Sequence, residues 1–394
     1  MRILNVSQSC YPFQDRGGPA FKVRAISRAL ARQGHEVTVL TADLGFGPHE
    51  IAMASASRIP PGWLSNQDGV ETVYLRTQCR YRGLTVNFGV YRFCRDRLRD
   101  FDVVHVYGLY DLLGPVTARY CRWYDKPYLV EPLGMTRPID RAFLPKRTWH
   151  RIFREYLHKS ARIVATSELE EAELLEDGFA ARQIVLRYNG LEKEEFLTLP
   201  TRGRLRQSLA IKDDEHLVLF LGRLIPRKGA DLLIEALPRM SAKIRVLVAG
   251  PEGERGYAAF LREKARTLGV EKQVVFRGPV YGNEKKSAMV DADVFALPSR
   301  YENFGNAAAE AVACGTPVIV SDRCGISSLI KDRAGVVTCY SAPAIAHALQ
   351  SLLGNAREYE RLKAGCPVVA SEIWWDNLIP PMQNLYQNVS TNAS

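Results

Sequence analysis

Long apolar runs, close-spaced cysteines and repeats are all missing from this 394-residue chain. Without a run of roughly eighteen apolar residues, no helix is expected to span a bilayer. The opening Met1-Arg2-Ile3-Leu4-Asn5-Val6 reads as a strand and leads to no small-residue cleavage site. A signal peptide is therefore not expected, and the protein should stay in the cytoplasm. Eight cysteines are scattered from Cys10 to Cys366, and no two form a C-x-x-C pair. That spacing argues against a zinc site and for small buried apolar thiols. The absence of low-complexity segments and short repeats excludes solenoid architectures.

Acids are scarce in one region. Residues 1–165 hold 25 Lys and Arg against 14 Asp and Glu, so they carry the whole of the +10 formal charge. Residues 76–99 contain seven arginines and one acid, Asp96; residues 137–162 contain eight basic side chains against Asp140 and Glu155. Two readings stay open: a solvated basic face, or a surface for anionic lipid headgroups or a diphosphate-bearing acceptor. No nucleic-acid module accompanies the charge, so nucleic acid is not an expected partner. Over Lys146–Lys159, Phe153, Tyr156 and Leu157 alternate with Arg147, Arg151 and Arg154. A basic amphipathic helix of this kind suits adsorption to an anionic bilayer without insertion.

What is present is globular: 46% apolar and 24% charged residues, in a length suited to two domains. Short β-branched runs at Ile3–Ser7, Glu36–Thr41, Val70–Leu75, Val103–Tyr107, Tyr128–Val130 and Arg162–Thr166 alternate with helical spacing at Ala20–Gln33, Asp111–Tyr124 and Lys146–Lys159. The alternation restarts with strands at His216–Leu221, Arg245–Ala249, Val274–Arg277, Val294–Leu297 and Pro317–Ser321. Such order predicts an α/β protein of two Rossmann-like, doubly wound domains facing a central cleft. The expected divisions are 1–190, a linker at 191–212 punctuated by Pro200 and Gly203, and a second domain at 213–370. A tail helix over 371–394, kinked at Pro380–Pro381, should pack back on the first domain.

Ligands of open α/β sheets bind at the carboxyl ends of strands, so loops just after strands carry the search. Gly222-Arg223-Leu224-Ile225-Pro226-Arg227-Lys228-Gly229 follows the first strand of the second domain. Gly222 allows close backbone approach, and Arg223 with Lys228 would bracket a diphosphate. A second loop, Pro298-Ser299-Arg300-Tyr301-Glu302-Asn303-Phe304-Gly305, runs into a helix containing Glu310. Backbone amides of Asn303, Phe304 and Gly305 would face phosphate or sugar oxygens, and a carboxylate suits ribose hydroxyls. Taken singly, each motif also reads as an ordinary strand–helix turn; taken together at this separation, they point to one nucleotide site.

The pair G-R-x-x-x-x-K-G and E-x₇-E resembles the retaining glycosyltransferases of family four, which have the GT-B fold. Phe295-Ala296-Leu297-Pro298-Ser299, Gly315-Thr316-Pro317 and Arg187-Tyr188-Asn189-Gly190 resemble the same family. The resemblance implies transfer of a sugar from a nucleotide-diphosphate donor to a glycan or lipid-diphosphate-linked acceptor, as in surface polysaccharide synthesis, at the inner face of the cell membrane. It implies Arg223 and Lys228 on the diphosphate, Glu302 beside the transferred sugar, Glu310 on the ribose, and the loop reaching Val280 against the base. No metal and no further cofactor would be needed. Gly17 and Gly18, in the loop after the first strand, would close over the donor. Relatives carry histidine where this chain has Leu133, in Glu131-Pro132-Leu133-Gly134. Glu131, Arg137 or His105 are the candidates to act in its place on the acceptor side, with a buried structural histidine as the other reading of His105. The alternatives are a non-catalytic nucleotide-sugar-binding partner and a GT-B nucleotide-sugar epimerase.

Overall fold

The computed structural model describes residues 1–13, 18–81, 84–109, 111–136, 154–241 and 243–391. The chain divides into two compact units, Met1–Gly190 with Trp375–Ser394, and Leu191–Trp374.

The first unit begins β1 (Arg2–Ser7), α1 (Gly18–Arg32), β2 (Glu36–Ala42) and α2 (Pro48–Ala54). Strands β3 (Ser57–Ile59), β4 (Gly62–Gln67) and β5 (Val70–Leu75) follow, then a hairpin of β6 (Cys79–Tyr81) and β7 (Leu84–Val86). Next come α3 (Gly89–Arg97), β8 (Val103–Tyr107), α4 (Leu113–Trp123), β9 (Tyr128–Glu131), β10 (Arg162–Ala165), α5 (Glu168–Glu176) and β11 (Ile184–Leu186). Nine strands form one sheet in the order β11-β10-β9-β8-β1-β2-β5-β4-β3. All neighbours are parallel except the β5–β4–β3 edge.

Alternation along the strands divides the core. Ile3, Val103 and Leu129 pack on one face with Val23, Ile26 and Leu30 of α1. Leu4, Val104 and Val130 pack on the other with Val90 and Phe93 of α3 and Leu113 and Ala118 of α4.

The second unit contains α6 (Arg204–Ser208), β12 (His216–Leu221), α7 (Ala230–Ala236), β13 (Ile244–Ala249), α8 (Tyr257–Thr267), β14 (Val274–Arg277), α9 (Gly282–Asp291) and β15 (Val294–Leu297). It continues through α10 (Asn306–Ala313), β16 (Val318–Ser321), α11 (Ser327–Ile330), β17 (Gly335–Thr338), α12 (Ala342–Leu353) and α13 (Ala356–Glu372). Its six parallel strands run β14-β13-β12-β15-β16-β17, a doubly wound order that reverses direction between β12 and β15. Leu217 to Phe220 are buried one after another, as expected for a strand covered on both faces.

Three details differ from the sequence expectation. The stretch 191–212 belongs to the second unit, where α6 is anchored by Asp291 accepting from the Gly203, Leu205 and Arg206 amides. The β3–β4 edge was not anticipated; its residues are half polar and give no clean two-residue alternation. The tail helix starts later than expected: α13 ends at Glu372, and α14 spans Trp375–Thr391, continuing through Pro380 and Pro381. Ile373 and Trp374 break the helix because they pair with Leu191, whose amide donates to the Ile373 carbonyl at 2.8 Å. Trp375, Ile379, Met382, Tyr386 and Val389 recur every three or four residues and sink into the α1 face of the first unit. The basic helix expected at Lys146–Lys159 falls mostly in residues 137–153, outside the described residues.

Candidate donor site

The switch point of the second unit lies between β12 and β15, and the two motifs singled out in the sequence leave those two strands. They meet. The Arg300 amide donates to the Arg227 carbonyl at 2.7 Å, tying one loop to the other. Gly229, in the left-handed region at φ 74°, sits so close to the Pro298 carbonyl that no Cβ fits between them. Lys228 donates to the Glu302 carboxylate and forms an ion pair with it. The Lys228 side chain passes over Gly222, where an added Cβ would touch its Cε at 3.9 Å. Arg223 is exposed beside them.

The loop after β15 is held from its other side. The Glu302 amide donates to the Arg323 carbonyl at 3.0 Å, the Gly325 amide to the Glu302 carbonyl at 2.8 Å, and the Ile326 amide to the Phe304 carbonyl at 2.7 Å. Phe304 is buried and anchors the loop, with Asn303 preceding it. Gly305 caps α10 at φ 106°, where a Cβ would stand 2.8 Å from the Cys324 Sγ. The helix start is thus fixed by backbone pairing rather than by a capping side chain. Glu310, one turn into α10, pairs at 2.9 Å with Lys285 of α9. Val280 is buried at the start of the turn into α9, and the Gly278 carbonyl in the same loop accepts from the Gly250 amide.

The first-unit candidates are placed differently. Gly18 opens α1, while Gly17 and Arg137 lie outside the described residues. Glu131 ends β9 fully buried, accepting from Lys22 Nζ and from Arg187. Lys22 also donates to the Asn189 side chain. His105 is equally buried, its Nδ1 2.7 Å from the Tyr386 hydroxyl of α14 and 3.1 Å from that of Tyr107. Its Nε2 is 3.8 Å from Glu131. Burial, reinforced by the Arg187 and Lys22 charges, holds the His105 imidazole well below its usual pKa and hence neutral. Burial likewise depresses Lys22, with the Arg187 charge acting in the same direction. His105 and Glu131 are therefore interior groups rather than exposed ones. They belong to an interior polar cluster beneath the Pro132–Gly134 turn. Leu133 itself adopts φ 59°, and Gly134 donates to the buried Glu170 carboxylate at 2.5 Å.

Residues 201–371 match the family described as "Glycosyl transferases group 1", and residues 17–190 match the "Glycosyl transferase 4-like domain". A D-inositol 3-phosphate glycosyltransferase of Xylanimonas cellulosilytica is 30% identical, the alignment covering 94% of this chain and 92% of that protein. The chain is a group 1 glycosyltransferase. An uncharacterized glycosyltransferase of Methanocaldococcus jannaschii is 28% identical over 96% of both chains. Among solved structures, Anabaena HepE in complex with UDP shares the fold, with a TM-score of 0.79 at 19% identity, covering 99% of this chain and 100% of that one. The two units are accordingly the two Rossmann-like domains of a GT-B glycosyltransferase.

Sequence reasoning missed three side chains of this glycosyltransferase that hold the named ones. Lys285, partner of Glu310, sits in α9 with no motif around it. Arg187 lies inside the quoted Arg187–Gly190 motif, and Lys22 is the one lysine of α1, but neither position signals burial without its partner. Among the described residues, no three His, Cys, Asp or Glu side chains gather as a metal site would require.

Proposed function

We propose that this glycosyltransferase transfers a sugar from a nucleoside-diphosphate donor with retention of anomeric configuration and without a divalent metal. The observation that carries the reading is the joining of the loops after β12 and β15 through Lys228 and Glu302 at the switch point. Arg223 and Lys228 receive the diphosphate, Lys228 exchanging its carboxylate partner for phosphate oxygens. The N-terminus of α10 adds its partial positive charge. Glu310 accepts the ribose hydroxyls, and the loop ending at Val280 faces the base.

The acceptor hydroxyl attacks the anomeric carbon from the face that the diphosphate leaves. The carbon–phosphate oxygen bond breaks, its electron pair going to the departing phosphate, which takes the acceptor's proton as the new glycosidic bond forms. The cations offset the charge building on that leaving group. Glu302 stands beside the sugar and is not a nucleophile.

The acceptor we assign is a glycan or lipid-diphosphate-linked glycan of a surface polysaccharide, met by the enzyme at the inner face of the cell membrane. The excess of positive charge in residues 1–165 supports an anionic acceptor and an anionic membrane. The X. cellulosilytica relative is named for D-inositol 3-phosphate, which is likewise anionic. No helix among the described residues is long and apolar enough to cross a membrane, so adsorption would be peripheral.

Thermal shift with ADP, GDP and UDP, followed by NMR of the product anomer, tests this reading. One nucleotide should raise the melting temperature of the wild type and not of Arg223→Ala/Lys228→Ala. No shift with any of them, or an inverted product, refutes it.

A further inference from the structure

Three aromatic side chains without a part in that chemistry stand on one side of the first unit. Phe88, at the start of α3, is 63% exposed, Tyr91 51%, and Trp123, at the end of α4, 70%. Phe88, Tyr91, Arg92 and Arg95 fall three, four and seven residues apart from the first, which makes one stripe roughly 10 Å long on α3, and Arg99 follows in the 3-10 turn Leu98–Asp100. Arg92 and Arg95 are largely exposed and flank the single acid Asp96. At the lower end the stripe joins α4: the Arg99 guanidinium lies 4.3 Å over the Tyr124 ring, and Trp123 stacks between Tyr120 and Tyr124 at 5.9 and 6.1 Å. The core does not account for this face. Val90, Phe93, Cys94 and Leu98, on the other side of the same segment, already supply its buried contacts.

We propose that this α3–α4 stripe is the surface by which the enzyme lies on an anionic phospholipid bilayer. Phe88, Tyr91 and Trp123 would sit at headgroup depth, and Arg92, Arg95 and Arg99 would meet lipid phosphates. The inference rests on the membrane-facing reading above and names the surface that reading lacks. Charge and spacing favour a bilayer over a protein partner. The rings are separated by cations, whereas the centre of a protein interface is depleted of charge. Aromatic rings interleaved with arginine are the composition of a membrane–water interface, where each basic side chain near anionic lipid adds attraction.

Flotation with phosphatidylcholine vesicles, with and without phosphatidylglycerol, tests the proposal using the full chain. Wild type should float with the anionic vesicles and be released by high salt. Phe88→Ser/Tyr91→Ser/Trp123→Ser and Arg92→Gln/Arg95→Gln/Arg99→Gln should each lose roughly tenfold or more in partitioning. Their melting temperatures and nucleotide-induced shifts should stay those of the wild type, which separates lost docking from lost folding. Variants that float as the wild type does would refute this surface while leaving membrane association intact. Wild type that ignores anionic vesicles would refute both. A concentration-dependent dimer abolished by the same substitutions would make the occupant a second copy and overturn the proposal.

Discussion

Replacing Glu131 by glutamine should unfold more than it inactivates. The carboxylate is fully buried and is shared by two cations, Lys22 and Arg187, that are themselves almost without solvent contact. Glutamine keeps the shape but leaves two buried positive charges with only the more distant Glu170 carboxylate to offset them, and removing one member of such a pair costs about 3–5 kcal/mol. For a unit of about 200 residues that corresponds to a fall of roughly 6–20 °C in melting temperature. Burial already depresses Lys22, so in the variant its proton should leave the folded state earlier still. The unfolded chain then binds more protons than the folded one, and the deficit should shrink as pH rises toward the ordinary lysine value of about 10.4. Thermal melting by circular dichroism across that range, with turnover measured on the folded fraction, gives the answer. A variant that melts within about 2 °C of wild type yet turns over slowly would refute the structural role and return Glu131 to the chemistry.

Two further outcomes follow from single positions. Burial raises the Asp111 carboxyl to about 6 against an ordinary 3.8, although its Oδ1 accepts from the Gly114 amide at 2.9 Å. The folded state holds the extra proton between those values, so stability should fall as pH rises through that window. Asp111→Asn, which keeps the acceptor oxygen, should flatten the dependence and gain on the order of 3 kcal/mol at neutral pH in urea titrations. Gly305→Ala places a Cβ 2.8 Å from the Cys324 Sγ at a φ of 106°. It should cost at least about 2 kcal/mol and weaken nucleotide binding roughly tenfold by disturbing the loop at Glu302, as read by thermal shift.

The meeting of the two loops in the second unit was legible because its information is local. A strand, a glycine and a cation occur within a few residues, and the doubly wound order then brings the loops after β12 and β15 side by side. The first unit was less so. Glu131 ends a strand, as site acids often do, but its character is decided by Lys22, 109 positions away, and Arg187, 56 away. Spacing along the chain carries no sign of that triad. His105 is similar: the Tyr386 hydroxyl that engages it is 281 residues distant. Lys285 escaped notice because a lysine in the polar 282–286 start of a helix reads as solvated until Glu310 is seen opposite it. The β3–β4 edge was hidden by its own composition, since a strand exposed on one side carries little apolar signal.

The excursion of the chain through the second unit has a consequence for biogenesis. Trp375, Tyr386 and their neighbours complete an apolar layer whose other members lie between Met1 and Val164. At ordinary translation rates, that closing helix emerges about 10–40 s after the strands it covers. In the interval the second unit can finish folding from its own continuous sequence, while the first waits with one flank of its sheet bare. The earliest residues made are thus among the last to be sealed.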